Sequence, residues 1–337
     1  MTFQDSLHSV VDGNDLTEEA MTSSMTQIME GDVTDSQLAS FLTALHVKGE
    51  TVAEIIGAAK VMRVKAEKLG IQVTPLVDTC GTGGDGADTF NISTASALVT
   101  AGAGINVAKH GNRAVSSRSG SADVLKYMGV NLDASFSTVK RCVEEAGIGF
   151  LFAPLMHKAM KHAAIVRKEL GFRTIFNVLG PLTNPASARA QVLGVFDVKW
   201  VQSLAQVLNG LDCEHAMVVH GSDGLDEITL TGESHVAELR NGKVSSYSLD
   251  PEKLGFKACR SDDLKGGTPE ENALIIQNIL NGESGPKRDI VVLNSAAAIY
   301  VAGKAYSLEQ GILYAIDSIE SGKARKKLED LCRITCS

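Results

Sequence analysis

A chain of 337 residues with 44% hydrophobic and 21% charged side chains can bury one large core or two modest ones, which excludes a disordered chain. Its formal net charge of −8 and aromatic content of only 5% exclude a broad basic surface with stacking rings, so no nucleic-acid partner is expected. The cysteines (Cys80, Cys142, Cys213, Cys259, Cys332 and Cys336) form no C-x-x-C pair and no zinc-like spacing, so free thiols in a reducing cytoplasm are expected.

The start, MTFQDSLHSV, has neither a basic stretch nor an apolar run, so no export signal is expected. No apolar run is long enough to span a bilayer, so no membrane partner is expected. The first seventy residues read as helices. Thr34 with Gln37 and Thr51 with Glu54 form capping boxes ahead of apolar stripes (Leu38, Phe41, Leu42 and Leu45 after the first). Asp15 with Glu18 marks a weaker helix start, and Gly70 closes the helical region. VTPLVDT (73–79) reads as a buried strand. A helix follows from Asn91, then the strand GINVAKHG and the short helix SADVLKYMG. MHKAMKHAAIVRKEL (156–170) reads as a helix whose bases, Lys158, Lys161, His162, Arg167 and Lys168, form a solvated face when taken alone. AMVVHG (216–221) is a strand, and Asn241-Gly242 turns a hairpin. DIVVLN (289–294) reads as a late strand, and Ser307 with Gln310 caps a C-terminal helix. The fold class expected is α/β, with a helical region at 1–72, joined by part of 160–185, and an α/β region at 73–337.

The chemistry sits in three loops. GTGGDG, from Gly81, fits the dinucleotide fingerprint G-x-G-x-x-G, but the acid that would hold a ribose is missing downstream, where the basic KHGNR stands instead. No Walker lysine follows either. Glycines here allow backbone N–H groups to approach phosphate oxygens, and Asn91, Ser93 and Thr94 add donors at a helix start. KHGNRAVSSRSGSAD gathers Lys109, His110, Arg113 and Arg118 with Asn112, Ser116, Ser117, Ser119 and Ser121, a second phosphate-binding loop. HGSDGLDEIT places Asp223, Asp226 and Glu227 after a strand, suited to a magnesium ion shared with substrate phosphates. Together they describe a site for a phosphorylated sugar pyrophosphate; the acceptor stays open at this level.

The blocks GTGGD, TFNIST, KHGNRAVSS, SGSADVL, VRKELGFRTIFNVLGPLTNP, VVHGSDGLDE and LNSAAAIYVAGKAYSLEQG resemble those of the anthranilate phosphoribosyltransferase family, in order through nearly the whole chain. The departures are Lys158, where the family often has proline, and Asp212, where glycine is usual. The resemblance implies a helical domain plus an α/β domain with a mainly parallel sheet, of the nucleoside phosphorylase and phosphoribosyltransferase type. It also implies transfer of a phosphoribosyl group to anthranilate in tryptophan biosynthesis, and a homodimer formed through the helical domain. By motif position, Gly81, Gly84, Asp85, Thr89, Asn91, Ile92, Ser93, Thr94, Lys109, His110, Gly111, Asn112, Arg113, Ala114, Val115, Ser116, Ser117 and Ser121 would hold phosphoribosyl pyrophosphate. Gly81, Asn112 and Arg167 would contact anthranilate, which takes Arg167 out of the solvated face. Ser93, Asp226 and Glu227 would serve two magnesium ions. No general base is implied. The alternatives are a pyrimidine nucleoside phosphorylase-like enzyme of the same fold and a non-catalytic, nucleic-acid-binding relative.

Overall fold

The computed structural model describes residues 2–114 and 118–337; the expected phosphate contacts of Val115, Ser116 and Ser117 lie outside the described residues. Four helices come first: α1 (Phe3–Val11), α2 (Glu18–Glu30), α3 (Asp35–Lys48) and α4 (Val52–Lys65). The α3 and α4 boxes form as expected from Thr34–Gln37 and Thr51–Glu54. Glu54 is fully buried and also accepts from the Leu16 N–H at 2.9 Å, while Lys48 pairs with it at 3.0 Å. Capping thus becomes a tie between helices. Two boundaries differ from expectation. The cap of α2 is Thr17, whose hydroxyl accepts from Ala20 N–H, rather than Asp15, which pairs with Lys48. Helix α4 stops at Lys65 with Ala66 extended, so Gly70 lies in the connector and not at a helix end.

The α/β part follows in the order β1 (Leu76–Gly81), α5 (Ile92–Gly102), β2 (Asn106–Gly111), α6 (Ser121–Tyr127), α7 (Phe136–Arg141), β3 (Ile148–Phe152), α8 (Ala153–Met156), α9 (Lys161–Leu170), α10 (Phe176–Leu179), β4 (Ala190–Gly194), α11 (Lys199–Gly210), β5 (His215–Gly221), β6 (Ser234–Arg240), β7 (Lys243–Leu249), α12 (Pro269–Leu280), α13 (Pro286–Val301), α14 (Leu308–Glu320) and α15 (Lys323–Thr335). The seven strands form one sheet in the order β3-β2-β1-β4-β5-β6-β7. The first five are parallel, and β6 and β7 add an antiparallel edge. Asn241 and Gly242, at φ +52° and +74°, turn the β6–β7 hairpin as expected. Strand side chains alternate between two cores. In β5, Met217 and Val219 face α5 and α12–α15, while Ala216 and Val218 face α11 and the four N-terminal helices. Ala163 and Val166 of α9 and Phe176 of α10 pack in that second core.

Three further expectations change. DIVVLN is not a strand: it lies within α13, which opens with Pro286 at its first turn. Ile290, Val291, Val292 and Leu293 are all buried, so no polar face revealed the helical period. The helix expected over 156–170 is broken at His157 (φ −118°, ψ 60°) into α8, a single 3₁₀ turn and α9. The strand expected from Val73 starts at Leu76, after Pro75, which has no N–H to give a neighbouring strand. Of the two departures from the family pattern, Lys158 pairs with Glu67 at 2.9 Å on the surface, and Asp212 sits at φ +61°, a conformation glycine adopts without strain. The six cysteines are free thiols, and among the described residues no helix is long and apolar enough to cross a membrane.

Candidate active site

Strands β1, β2 and β5 run parallel and end in Gly81, Gly111 and Gly221, so the three loops named from the sequence leave the same edge of the sheet. Ligands of α/β sheets bind at this edge, outside the carboxyl ends of the strands. The first and third loops touch. The Gly83 N–H donates to Asp226 Oδ2 at 2.8 Å, and the Asp226 N–H faces Asp85 Oδ2 at 3.4 Å. Gly83, Gly84 and Gly86 all have φ between +66° and +77°, a left-handed backbone that glycine adopts without strain. A β-carbon on Gly81 would overlap the Asp226 carboxylate.

The second loop joins from the β2 side. Lys109 is buried, and its Nζ donates to the Thr79 carbonyl at 2.6 Å and to Ser93 Oγ at 3.2 Å. Ser93, in the first turn of α5, donates both its backbone N–H and its hydroxyl to Glu227. Lys109, Ser93 and Glu227 therefore form one chain of contacts linking all three loops. Asn112, Arg113 and Ala114 continue outward. Asp123 closes this loop by accepting from the Ala114 and Gly120 N–H groups, both at 3.0 Å. The Arg113 guanidinium lies 5.7 Å above the Phe152 ring and 3.7 Å from Asp123. Ser121 Oγ donates to the Asn112 carbonyl at 3.2 Å, and a β-carbon on Gly111 would overlap that hydroxyl.

Burial pushes the Glu227 carboxyl up to about 7; Lys109 opposes the shift and Asp85 adds to it. Asp226 is raised too, by burial and then by the charges of Asp85 and Glu227. Three carboxylates with one buried lysine among them lack positive charge. Their hard oxygen donors suit magnesium. Among the described residues no three His, Cys, Asp or Glu side chains gather as a closed metal cage, so substrate oxygens and water would have to complete the shell of such an ion. Asp223 is not part of this set: its carboxylate accepts from Thr229 and Thr231 at 2.8 and 2.6 Å and from the Leu225 N–H at 3.2 Å, bracing the loop.

Other expected contacts serve as struts. The Asn91 amide donates to the Ser119 carbonyl at 3.0 Å and accepts from Asn272 Nδ2 at 3.0 Å. Thr89 bridges to Lys265, Ile92 is buried, and the Thr94 hydroxyl is buried with no partner among the described residues. The His110 ring is buried beneath the loop. It donates to the Gly180 carbonyl, and its Nε2 lies 3.2 Å from Nε2 of His157, which the hydrogen-bond pattern makes the donor. Burial and the neighbouring ring hold His110 down at about 3, and burial alone holds His157 at about 4.

Arg167 is half-buried on α9, its guanidinium 5.2 Å from the Phe176 ring, and it has no carboxylate partner among the described residues. Desolvation lowers its pKa. A partly desolvated arginine without an anion has unused donors for one. The sequence did not single out several residues that hold this cleft. Asn184 donates to Asp78 Oδ2 at 2.7 Å and to the Ala108 carbonyl at 2.8 Å, tying the segment after α10 to β1 and β2. Arg173 stacks 3.9 Å from Phe196 and donates to the Gly84 carbonyl. Their positions in the GFRTIFNVLGPLTNP block were the available signal.

A model of the glycosyl transferase family helical bundle domain matches residues 4–66, and one of the family's a/b domain matches residues 73–325. The chain is 56% identical over 331 residues to anthranilate phosphoribosyltransferase of Acetivibrio thermocellus, covering 98% of this chain and 96% of that protein. A relative of the same name from Petrotoga mobilis is also 56% identical, over 98% and 96% of the two chains. The crystal structure of anthranilate phosphoribosyltransferase from Thermus thermophilus superposes with a TM-score of 0.94 at 46% identity, covering 99% of this chain and 100% of that one. The Saccharomyces cerevisiae enzyme in complex with PRPP and Mg gives 0.90 at 28% identity, covering 99% and 98%. The chain belongs to the anthranilate phosphoribosyltransferase family of glycosyl transferases.

Proposed function

We infer that the cleft at the carboxyl ends of β1, β2 and β5 is where this chain transfers the 5-phosphoribosyl group from phosphoribosyl pyrophosphate to the amine of anthranilate. The products are N-(5-phosphoribosyl)anthranilate and pyrophosphate, in tryptophan biosynthesis. The observation that carries the assignment is the Lys109–Ser93–Glu227 chain of contacts, which brings a cation, a helix start and a carboxylate to one point beside the glycine loop.

The 81–86 glycine loop and the start of α5 bind the diphosphate, and Asn112 with Arg113 binds the ribose phosphate. Asp226 and Glu227, with Ser93, would hold two magnesium ions, which when bound would supply positive charge against the departing pyrophosphate. Arg167 orients anthranilate through its carboxylate, with Asn112 and Gly81 beside it. The amine of anthranilate is neutral near pH 7, so its lone pair is available without a base. The bond from the anomeric carbon to pyrophosphate loosens first, and the amine attacks from the opposite face, inverting that carbon. Placement and charge stabilisation therefore carry the rate. His110 does not act as the base, because His157 and the Gly180 carbonyl engage its ring.

The apolar groove between α1 and α3, about 490 Å³ and lined by Val10, Val11, Ala39, Ala44 and Val47, supports a homodimer formed through the helical region. Val11 and Val47 are 63% and 79% exposed there. The free thiols support a cytoplasmic site of action. Loss of anthranilate fluorescence on adding phosphoribosyl pyrophosphate, dependent on magnesium, is the test of the activity; fluorescence that persists with both present would refute it.

A further inference from the structure

Helix α13 carries the segment LNSAAAIYVA, which contributes no side chain to the cleft assigned above. Its Asn294 is 3% exposed and makes three hydrogen bonds. Oδ1 accepts from the Ile228 N–H at 3.0 Å; Nδ2 donates to the Ile228 carbonyl and to the Ile290 carbonyl, both at 2.9 Å. Ile228 directly follows Glu227. One amide therefore grips both polar groups of the backbone residue next to the carboxylate pair. The neighbouring Ser295 hydroxyl reaches the Ser96 carbonyl on α5 at 3.3 Å, and Ser96 Oγ reaches the Val291 carbonyl at 3.4 Å. Helix α5 also carries Ser93, which donates to Glu227. Two consecutive residues of α13 thus fix the two chain segments that meet at Glu227.

A buried asparagine whose only task was its own satisfaction could use any carbonyl and N–H nearby. Here both ends of the amide reach one residue, and because its N–H and its C=O lie in successive peptide planes, the planes on both sides of Ile228 are held. The bond to the Ile228 N–H holds the plane that Ile228 shares with Glu227, and the bond to its carbonyl holds the next one, so the backbone leading out of the carboxylate pair is constrained on both sides of Ile228.

We propose that Asn294 is a positioning residue for the Asp226–Glu227 pair, setting the geometry in which these carboxylates meet the cation of the substrate complex. The proposal rests on the assignment of those carboxylates to magnesium. Groups that orient ligands in this way typically change metal affinity by roughly 10- to 100-fold when removed.

The test compares Asn294→Ala and Asn294→Ser with Val301→Ala, a cavity variant in the last turn of the same helix, beyond the hydrogen-bonded loop. Mn2+ binding is measured by electron paramagnetic resonance with phosphoribosyl pyrophosphate present and anthranilate absent. Steady-state rates are measured against magnesium and against each substrate. Both Asn294 variants should weaken Mn2+ binding by roughly ten-fold or more and lower kcat, with the KM for anthranilate within about two-fold of the parent. Val301→Ala should lose thermal stability and keep the parent's metal dependence. Folded Asn294 variants with the parent's Mn2+ affinity would overturn the proposal, as would failure of both to fold, which would assign Asn294 to the core alone. Asp226→Asn with Glu227→Gln separates the two levels. If that double variant binds Mn2+ like the parent, the metal assignment itself fails; if it is impaired while the Asn294 variants are not, only the positioning role fails.

Discussion

The α-carbon of Gly194, at the end of β4, packs against the Asp226 carbonyl so closely that a β-carbon there would overlap the oxygen. At Gly81, on the neighbouring strand, an added β-carbon would meet the end of the Asp226 side chain instead. The two glycines therefore hold the same aspartate by its backbone and by its carboxylate.

The difference separates fold from chemistry. Gly194→Ala pushes on backbone, which cannot move without displacing a strand end or the loop, so it should cost about 3 kcal/mol of stability as well as activity. Gly81→Ala pushes on a carboxylate that can rotate away. It should cost about 1 kcal/mol or less, yet reduce kcat roughly ten-fold or more by misplacing Asp226. Urea unfolding and steady-state rates on both variants check this; equal losses of stability would contradict it.

Arg167 has an aromatic neighbour and no anionic partner among the described residues. Arg167→Ala should raise the KM for anthranilate by roughly ten-fold or more and leave the KM for phosphoribosyl pyrophosphate within about two-fold. Stability should fall by no more than about 1 kcal/mol, the size of a lost cation–π contact. Equal effects on both substrates would rule out a contact with the anthranilate carboxylate.

The carboxylate pair makes metal-free protein sensitive to rising pH. Glu227 holds its proton up to about 7 in the fold, against an ordinary value of 4.5. Between those values the folded chain binds more protons than the unfolded chain, so stability falls as pH rises through that window. In chelator, Glu227→Gln should gain on the parent between about pH 5 and pH 8, by on the order of 2 kcal/mol. Urea unfolding at several pH values reads this difference; a constant difference across the range would refute it.

The two buried histidines act in the opposite direction. Both titrate below their ordinary 6.5, at about 3 and 4, so the unfolded chain takes up protons that the fold refuses. Stability contributed by these neutral rings is complete above 6.5 and is lost as pH falls toward 4. His157→Gln removes one such group and can still donate to His110. Its stability should fall less steeply than the parent's between about pH 6.5 and pH 4.5, by about 2 kcal/mol at the lower end. Parallel curves would count against the buried pair.

Features that depend on neighbouring residues were legible in the sequence. The Thr34–Gln37 and Thr51–Glu54 boxes, the Asn241-Gly242 turn and the Ser307 cap each rely on contacts within a few residues. Where burial removed the polar face, the period vanished with it: Ile290, Val291, Val292 and Leu293 are all buried in α13, and so is the polar Asn294 that follows them. Pro286, a helix-opening residue three positions earlier, was the local sign of a helix. The three loops were legible because their composition is chemical, and the structure brings them to one edge. The struts were not. Asn184 with Asp78, Asn272 with Asn91, and Asn294 with Ile228 are 106, 181 and 66 residues apart, and no local pattern says which distant backbone an asparagine will reach.

The most direct test of the site is a crystal of this protein soaked with phosphoribosyl pyrophosphate and Mn2+ and measured for anomalous scattering. Manganese is expected beside the Asp226 and Glu227 carboxylates and Ser93, with the diphosphate against the 81–86 glycine loop and the start of α5. Manganese or diphosphate bound away from these residues would contradict it.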